Sequence, residues 1–134
     1  MTLYMLDTDT SSYLIRGRMP ALDQRVRDVP KKSLCISAVT RGELLYGLRI
    51  KDGAQRLTQL IDQYLQRITC LSWDEAAATH FAEIAATLHR SGNVIGTMDA
   101  MIAGHAQAAG AVLVTNNERH FTRIRTLAIE NWLR

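Results

Sequence analysis

The sequence predicts an α/β fold, with helices on both faces of a mostly parallel central sheet. Three short, mainly apolar runs, residues 3–6, 33–36 and 111–114, are typical of strands buried on both faces. Segments with apolar residues at helical spacing lie between them. Strands that alternate with helices are joined by crossovers and therefore pair in parallel. A chain of 134 residues suffices for one core, so we expect a single domain over residues 1–134.

Two helices are predicted between the first and second strands. The first strand stops at Asp7, and the helix after it ends at Gly17. The candidate N-caps of this helix are Thr8, Asp9 and Ser11. A second helix is predicted over residues 20–29, because one proline stands in its first turn and another lies just beyond its end.

The middle of the chain is predicted to hold three helices and one short strand. Ser37 caps the helix that follows the second strand, and residues 53–68 carry apolar side chains at helical spacing. A short strand is expected over residues 69–71. Ser72 and Glu75 then have the spacing of a capping box, in which each side chain reaches a free backbone amide at the start of a long helix.

The last third of the chain again alternates helices with strands. A helix capped by Thr97 ends at Gly110, and after the third apolar strand a helical turn leads to Phe121. Residues 127–129 are expected to form an edge strand. In parallel sheets of this kind ligands bind at the carboxyl ends of the strands, where the strand order switches. The sequence therefore predicts a cleft at that edge of the sheet, beside Asp7, Ser37 and Thr115.

The composition excludes several classes of protein. No apolar run approaches the roughly 20 residues of a membrane helix, and the N-terminus lacks the features of a signal peptide. We therefore expect a cytoplasmic protein with no membrane association. Cys35 and Cys70 belong to no CxxC pair, which argues against zinc, and both are expected to be buried free thiols. None of the four histidines has metal-ligand spacing, so these are assigned to the surface or the core: His80, His89, His105 and His120.

The basic residues leave two interpretations open. Of 16 Lys and Arg residues 13 are arginine, whose planar fork matches phosphate oxygens. A GC-rich genome would produce the same bias. The candidate RNA contacts near the cleft are Arg16, Arg18, Arg41 and Arg49.

Three acids occupy unusual positions for solvated charges. Asp7 directly ends a buried strand, although an aspartate there is also a common turn or cap residue. Glu43 shares a helical stripe with Val39, Tyr46 and Ile50, and a carboxylate on a core stripe must be paired, protonated or bound to metal. The alternative is an ion pair with Arg41 or Arg49.

The third acid is Asp99, which stands in the first turn of a helix that is apolar or small on nearly every side. The three acids can converge at one edge of a parallel sheet, where their mutual repulsion calls for a cation. Oxygen ligands without a His or Cys cluster select magnesium or manganese. Such ions activate an attacking water and stabilise a leaving oxygen at a phosphate.

Four blocks of this sequence resemble the VapC toxins of bacterial toxin–antitoxin pairs, within the PIN-domain nucleases. They are residues 5–10 (MLDTDT), 36–44 (ISAVTRGEL), 96–103 (GTMDAMIA) and 113–117 (LVTNN) with Phe121. The resemblance implies a three-layer α/β/α PIN-like sandwich. It also implies a Mg²⁺- or Mn²⁺-dependent endoribonuclease acting on RNA, commonly structured RNA such as tRNA. It further implies a homodimer that is silenced by a cognate VapB-type antitoxin.

The resemblance also carries site residues. Asp7, Glu43 and Asp99 match three acids of the family and are the predicted metal ligands. The family often has an aspartate where this chain has Asn117, so Asn117 completes the predicted catalytic set without adding charge. This departure puts the binding of a second metal ion in doubt. The carboxylate of Asp9 compensates only in part for the missing negative charge.

Two other functions are compatible with the same pattern. A catalytically degenerate PIN domain would bind RNA or protein without cutting, and Asn117 favours that alternative. A doubly wound signalling domain phosphorylated on aspartate generally needs a lysine late in the chain, but no lysine follows Lys51. The sequence also lacks a phosphate-binding glycine loop, so nucleotide binding has no support.

Overall fold

The computed structural model describes residues 1–51 and 53–134. Within them, five strands form one sheet: β1 (Tyr4–Leu6), β2 (Leu34–Ser37), β3 (Thr69–Leu71), β4 (Val112–Val114) and β5 (Ile129–Glu130). The α-helices are α1 (Thr8–Arg16), α2 (Pro20–Asp28), α3 (Ala38–Ile50), α4 (Gln55–Arg67), α5 (Glu75–Arg90), α6 (Thr97–Ala108) and α7 (Glu118–Phe121). Each of these elements was predicted from the sequence, apart from shifts of a few residues at their ends.

All strand pairs in the sheet are parallel, and the strand order is β3-β2-β1-β4-β5. From β1 the chain builds outward through β2 and β3, then returns to place β4 on the other side of β1. The order of the strands therefore switches between β1 and β4. At this point Asp7 N donates to Val114 O over 3.0 Å, so the two strand ends are joined where a ligand crevice is expected.

Successive strand residues point to opposite sides of the sheet, so both faces carry apolar side chains. Helices cover each of these faces. Met5 and Leu113 pack on the face covered by α5 and α6, whereas Leu6 and Val114 pack on the opposite face, against α2 and α4. This arrangement is the predicted three-layer α/β/α sandwich. Trp132, which is fully buried, closes the second face near the C-terminus.

One glycine lets α6 approach α5 closely. A Cβ placed on Gly104 would lie 2.6 Å from Phe81 N and 2.7 Å from Phe81 Cα, closer than real Cβ atoms come to backbone. Trp73 adds a bond across the same region, since its Nε1 donates to Met101 O at 3.0 Å. Both contacts fix the position of α6, whose first turn carries Asp99.

Several helix starts differ from the prediction. The N-cap of α1 is Asp7 itself, not Thr8, Asp9 or Ser11. The N-cap of α5 is Asp74, whose Oδ1 accepts from Ala77 N at 3.0 Å, so the predicted Ser72–Glu75 capping box is wrong. The N-cap of α6 is Gly96 rather than Thr97. In each case the observed cap lies one to four residues away from the positions that capping propensity favoured.

The cysteine prediction was half correct. Cys35 is a buried free thiol, but Cys70 is exposed because it lies on β3, an edge strand of the sheet. In the described part of the chain, no helix is long and apolar enough to cross a membrane.

Candidate active site

Asp7 lies at the switch point of the sheet and is almost fully buried, with 3% of its surface exposed. Its Oδ1 accepts a hydrogen bond from Thr10 N at 2.8 Å, which caps α1. The two explanations weighed for this residue, a helix cap and a functional acid, are therefore compatible. One carboxylate oxygen holds the start of α1, and the side chain has a second oxygen available for another ligand.

Burial raises the pKa of Asp7 above its usual value. Hydrogen bonding from Thr115 and Thr10 opposes that effect, and the nearby charge of Asp9 adds to it. Among the ion pairs of residues 1–51 and 53–134, none involves Asp7. No cation of the described residues neutralises this carboxylate, so it is poised to take either a proton or a metal ion.

Asp99 occupies the first turn of α6, as predicted. Its side chain is about one-third exposed, and its Oδ2 lies 3.7 Å from His120 Nδ1. Burial raises the pKa of Asp99, the nearby imidazole of His120 lowers it, and the charge of Asp9 raises it. Asp99 is therefore a partly buried acid that still faces solvent.

The charge of Asp9 acts on the carboxyl groups of both Asp7 and Asp99. Its negative charge raises the pKa of both Asp7 and Asp99, so Asp9 lies within electrostatic reach of each. The side chain is exposed, which leaves its carboxylate available to solvent. The structure thus places three aspartates, two of them predicted ligands, around the same end of the sheet.

Glu43 joins this group through a hydroxyl group. Thr8 Oγ1 donates to Glu43 Oε1 at 2.6 Å and lies 3.1 Å from Thr40 Oγ1. Thr8 is the residue between Asp7 and Asp9, so this hydrogen bond ties α3 to the start of α1.

The environment predicted for Glu43 was wrong. Tyr46 and Ile50, assigned to the same core stripe, are 66% and 65% exposed. Glu43 is only partly buried, and no ion pair of the described residues joins it to Arg41 or Arg49. A half-buried, unpaired carboxylate at the mouth of the crevice remains compatible with a supporting role toward a cation.

Asn117 and His120 form the rim opposite Glu43. Asn117 N donates to Thr115 Oγ1 at 2.9 Å, and Asn117 Nδ2 lies 2.8 Å from His120 Nδ1. The sequence assigned His120 to the surface or the core, and the structure shows that this partly exposed histidine also contacts two predicted site residues, Asn117 and Asp99. Spacing alone could not reveal it, because its contact with Asp99 depends on how α7 packs beside α6.

His105, by contrast, lies outside the site as expected. It is 3% exposed, its Nδ1 lies 2.7 Å from Ser37 Oγ, and burial lowers its pKa. Ser37 Oγ also accepts from Val39 N at 3.1 Å, so this side chain is used in capping α3 and in binding His105. The predicted position of Ser37 at a strand end is confirmed, but its hydroxyl group is occupied.

The donor set fits a hard divalent cation, although it is not a finished cage. Within the described residues, no three His, Cys, Asp or Glu side chains form a group that could enclose a metal ion as they stand. Among the ion pairs of the described residues, Asp7 and Glu43 take part in none and Asp99 contacts only His120, and carboxylate oxygens of this kind suit magnesium or manganese. Magnesium typically keeps several waters and needs only one or two protein carboxylates, so an open site of this kind is sufficient.

Comparison with known proteins identifies the family. The PIN-domain family model matches residues 4–127, which include every residue of the site described above. The chain therefore belongs to the PIN-domain family. Within this family it is of the VapC type: it is 39% identical to the tRNA(fMet)-specific endonuclease VapC of Shigella flexneri over 98% of this chain and 99% of that protein.

Other relatives of this PIN domain also carry the VapC or VapBC name. It is 38% identical to Ribonuclease VapC2 of Haemophilus influenzae, over 99% of this chain and 100% of that one. Among solved structures, the DNA-bound VapBC of Salmonella typhimurium contains a chain with a TM-score of 0.91 and 37% identity, covering 98% of this chain and 99% of that chain. VapBC2 of Rickettsia felis, bound to a promoter DNA fragment, matches with a TM-score of 0.90 and 30% identity, over 98% of this chain and 99% of that one.

Proposed function

We propose that this VapC-type PIN domain is a metal-dependent endoribonuclease and the toxin of a toxin–antitoxin pair. The observation that carries the proposal is the buried carboxylate of Asp7, which has no basic partner among the described residues and lies at the strand-order switch near Asp9, whose charge also acts on Asp99. Such a cluster is electrostatically unfavourable in isolation and becomes favourable when a cation binds.

The proposed ligands are Asp7 and Asp99, with Glu43 in support, directly or through a water. The cation would be Mg²⁺ or Mn²⁺, and when bound it would supply an activated water and charge stabilisation at the scissile phosphate. Asp7 would contribute the oxygen that is not used in capping α1. Thr8 would hold Glu43 in place, because its hydroxyl already donates to Glu43 Oε1 at 2.6 Å.

Asn117 and His120 would orient the outer part of the site. The Asn117 amide is fixed from two directions, by its backbone bond to Thr115 and by its side-chain contact with His120. Its carbonyl oxygen can orient a bound water but adds no charge. His120 would position Asp99. Hydrolysis of the phosphodiester in line would leave a 5′-phosphate and a 3′-hydroxyl.

The substrate and partners follow from the relatives. The Shigella and Salmonella relatives are described as tRNA(fMet)-specific endonucleases, so we propose a structured RNA such as tRNA as the substrate. The solved structures of Salmonella and Rickettsia are VapBC complexes, so we propose a VapB-type antitoxin as partner, together with a homodimer of this chain. The site of action would be the cytoplasm.

The proposal is tested by replacing Asp99 with asparagine. Purified Asp99→Asn should cut tRNA at least about a hundredfold more slowly in Mg²⁺, because removing even an outer-shell partner of a bound metal costs roughly 10–100-fold. Asp62→Asn is the matched control, since Asp62 is an exposed acid on α4. Sequencing of RNA ends should reveal discrete new 5′-phosphate ends with the parent and the control only. Cleavage by Asp99→Asn at near the parent rate would contradict the assignment.

A second candidate is a degenerate PIN domain that binds without cutting. Asn117 in place of an acid and the lack of a ready three-ligand cage in the described residues favour it. Thermal unfolding during a Mg²⁺ titration separates the two functions. A ligand at 100 times its dissociation constant adds about 2.7 kcal/mol to stability, so a metal-dependent enzyme should show a clear rise in Tm. No shift would favour the degenerate domain.

A further inference from the structure

A groove on the side of α5 has the chemistry of a binding site for RNA. It is a cavity of about 770 Å³ between the second half of α5 and residues 122–126, the segment that follows α7. Its floor is apolar, formed in part by Ile84, Leu88 and Ile124. Hydroxyl and amide groups line its walls, from Thr87, Ser91, Asn93, Gln107, Thr122 and Thr126. A floor of this kind suits ribose and base faces, and the walls offer partners to 2′-hydroxyl and phosphate groups.

Charge favours a polyanion in this groove. Arg123 and Arg125 line it, against a single carboxylate, Glu83, and His80. One more arginine borders it: Arg90, whose Nη2 donates to the lining residue Thr87 at 3.4 Å. Guanidinium groups bind phosphates through paired donors, which makes arginine the typical residue for phosphate recognition.

Within residues 1–51 and 53–134, no acidic side chain forms an ion pair with these arginines. In the described part of the chain, the ion pairs of arginine are Arg25 with Glu130 and Arg134 with Glu118. None of the three arginines at the groove takes part in one. Arg123 donates through Nη1 to the carbonyl oxygens of Asn93 (3.5 Å) and Val94 (3.4 Å), which anchors its guanidinium while most of its five donors remain available.

The chain itself places Arg123 of the groove a short distance from the proposed active site. Arg123 follows His120 by three residues, so their Cα atoms are within about 11 Å of each other. The carbonyl groups that Arg123 contacts belong to the segment linking α5 to α6, and Asp99 stands in the first turn of α6. A strand of RNA cut at Asp99 therefore needs only a few nucleotides to reach the mouth of the groove.

We propose that this groove, with Arg123 and Arg125 at its core, holds the single-stranded RNA that flanks the scissile phosphate. The arginines contact the backbone phosphates, so they set affinity and register rather than base preference. The proposal deepens the proposed ribonuclease function and rests on it for the choice of ligand. It also differs from the sequence-based expectation, which placed the RNA contacts on Arg16, Arg18, Arg41 and Arg49.

The test measures RNA binding separately from cleavage. In an Asp99→Asn background, the probe is a fluorescent oligouridine of about 12 nucleotides, within the usual site size of single-strand binders. Arg123→Gln/Arg125→Gln should weaken binding roughly tenfold at low salt, as expected for two exposed charge contacts. The slope of log K against log salt should fall by about 1.4, or about 0.7 for each lost phosphate contact.

A matched control removes the same charge elsewhere. Arg56 and Arg67 are exposed on α4, which covers the other face of the sheet. Arg56→Gln/Arg67→Gln should keep the parent affinity and salt slope. Equal losses of RNA affinity in both double variants would mean that only net charge matters, which would overturn the proposal. Unchanged affinity in both variants would also overturn it.

The outcome also separates this inference from the proposed function. If the parent cuts tRNA in Mg²⁺ but the groove variant binds RNA as well as the control does, the groove proposal alone fails. If the parent cuts no RNA but only the groove variant loses binding, the groove proposal stands and the ribonuclease function fails.

Discussion

His120 Nδ1 lies 3.7 Å from Asp99 Oδ2 and 2.8 Å from Asn117 Nδ2, so a single imidazole connects α7 to the first turn of α6. Because the imidazole lowers the pKa of Asp99, it favours the ionised form that could bind a cation. This contact makes His120 a positioning residue for the site, and it leads to a prediction that a purely structural role would not produce.

His120→Ala should shift the pH profile of cleavage. Loss of the imidazole raises the pKa of Asp99 further, so the acidic limb of kcat/KM should move to higher pH, with a greater loss of activity below neutral pH than above it. The measurement is tRNA cleavage across pH at fixed Mg²⁺. His89→Ala is the control, because His89 is an exposed histidine near the end of α5. A uniform loss at all pH values would contradict the positioning role.

Asp7→Asn should stabilise the metal-free protein. Asparagine is as good an N-cap as aspartate, so the bond to Thr10 N is kept, while the desolvation cost of a buried charge disappears. The pKa of Asp7 is raised above 3.8, so the folded parent retains a proton that the unfolded chain has lost. Parent stability therefore falls as pH rises from near 3.8 through the raised value, and it stays lower above it.

The measurement for Asp7→Asn is thermal unfolding in a chelator and in Mg²⁺. In chelator, the Tm of the variant should exceed that of the parent by an amount that grows as pH rises over that range. Above the range the difference should remain constant. With Mg²⁺ the order should reverse, because only the parent gains binding energy. Asp7→Ala serves as the contrast, since it also loses the cap, at a cost of about 1 kcal/mol. A variant less stable than the parent in chelator at neutral pH would show that the Asp7 charge is compensated within the protein.

The fold was predictable from sequence because burial leaves a strong periodic signal. Runs such as residues 3–6 and 111–114 are apolar on both strand faces, which only a sheet covered on both sides explains. Cap positions were less predictable, because several Ser, Thr and Asp residues stand near each helix start and tertiary contacts choose between them. Asp7 became the cap of α1 since its backbone is held by Val114.

Part of the candidate site was also predictable, because it depends on where strands and helices begin and end. Asp7 and Asp99 sit at element ends, where topology alone brings them together. The environment of Glu43 was not predictable, because helical periodicity cannot tell whether the face bearing Tyr46 and Ile50 is covered by another element, and in this structure it is exposed. His120 could be found only from the packing of α7 against α6.

Gly104→Ala should destabilise the protein, whereas Gly42→Ala should not. The added Cβ at Gly104 meets Phe81 backbone at 2.6 Å, so α6 must move away from α5, with an expected cost of about 1–3 kcal/mol. Gly42 lies in α3 with nothing within 4 Å of its Cβ position, and alanine there should add about 0.5–1 kcal/mol of helix stability. Chemical denaturation measures both free energies of unfolding. Equal stability of the two variants would mean that the α5–α6 contact is not tightly packed.

Asn117→Asp should strengthen metal binding at the expense of metal-free stability. The substitution adds a fourth negative charge beside Asp7, Asp9 and Asp99, which raises electrostatic repulsion when no cation is present. Mn²⁺ binding followed by calorimetry should show higher affinity or a second bound ion, and unfolding in chelator should show a lower Tm. Asn116→Asp, at the exposed neighbouring position, controls for the added charge alone. If both variants bind Mn²⁺ like the parent, position 117 does not face the cation, and its role is confined to holding His120 next to Asp99.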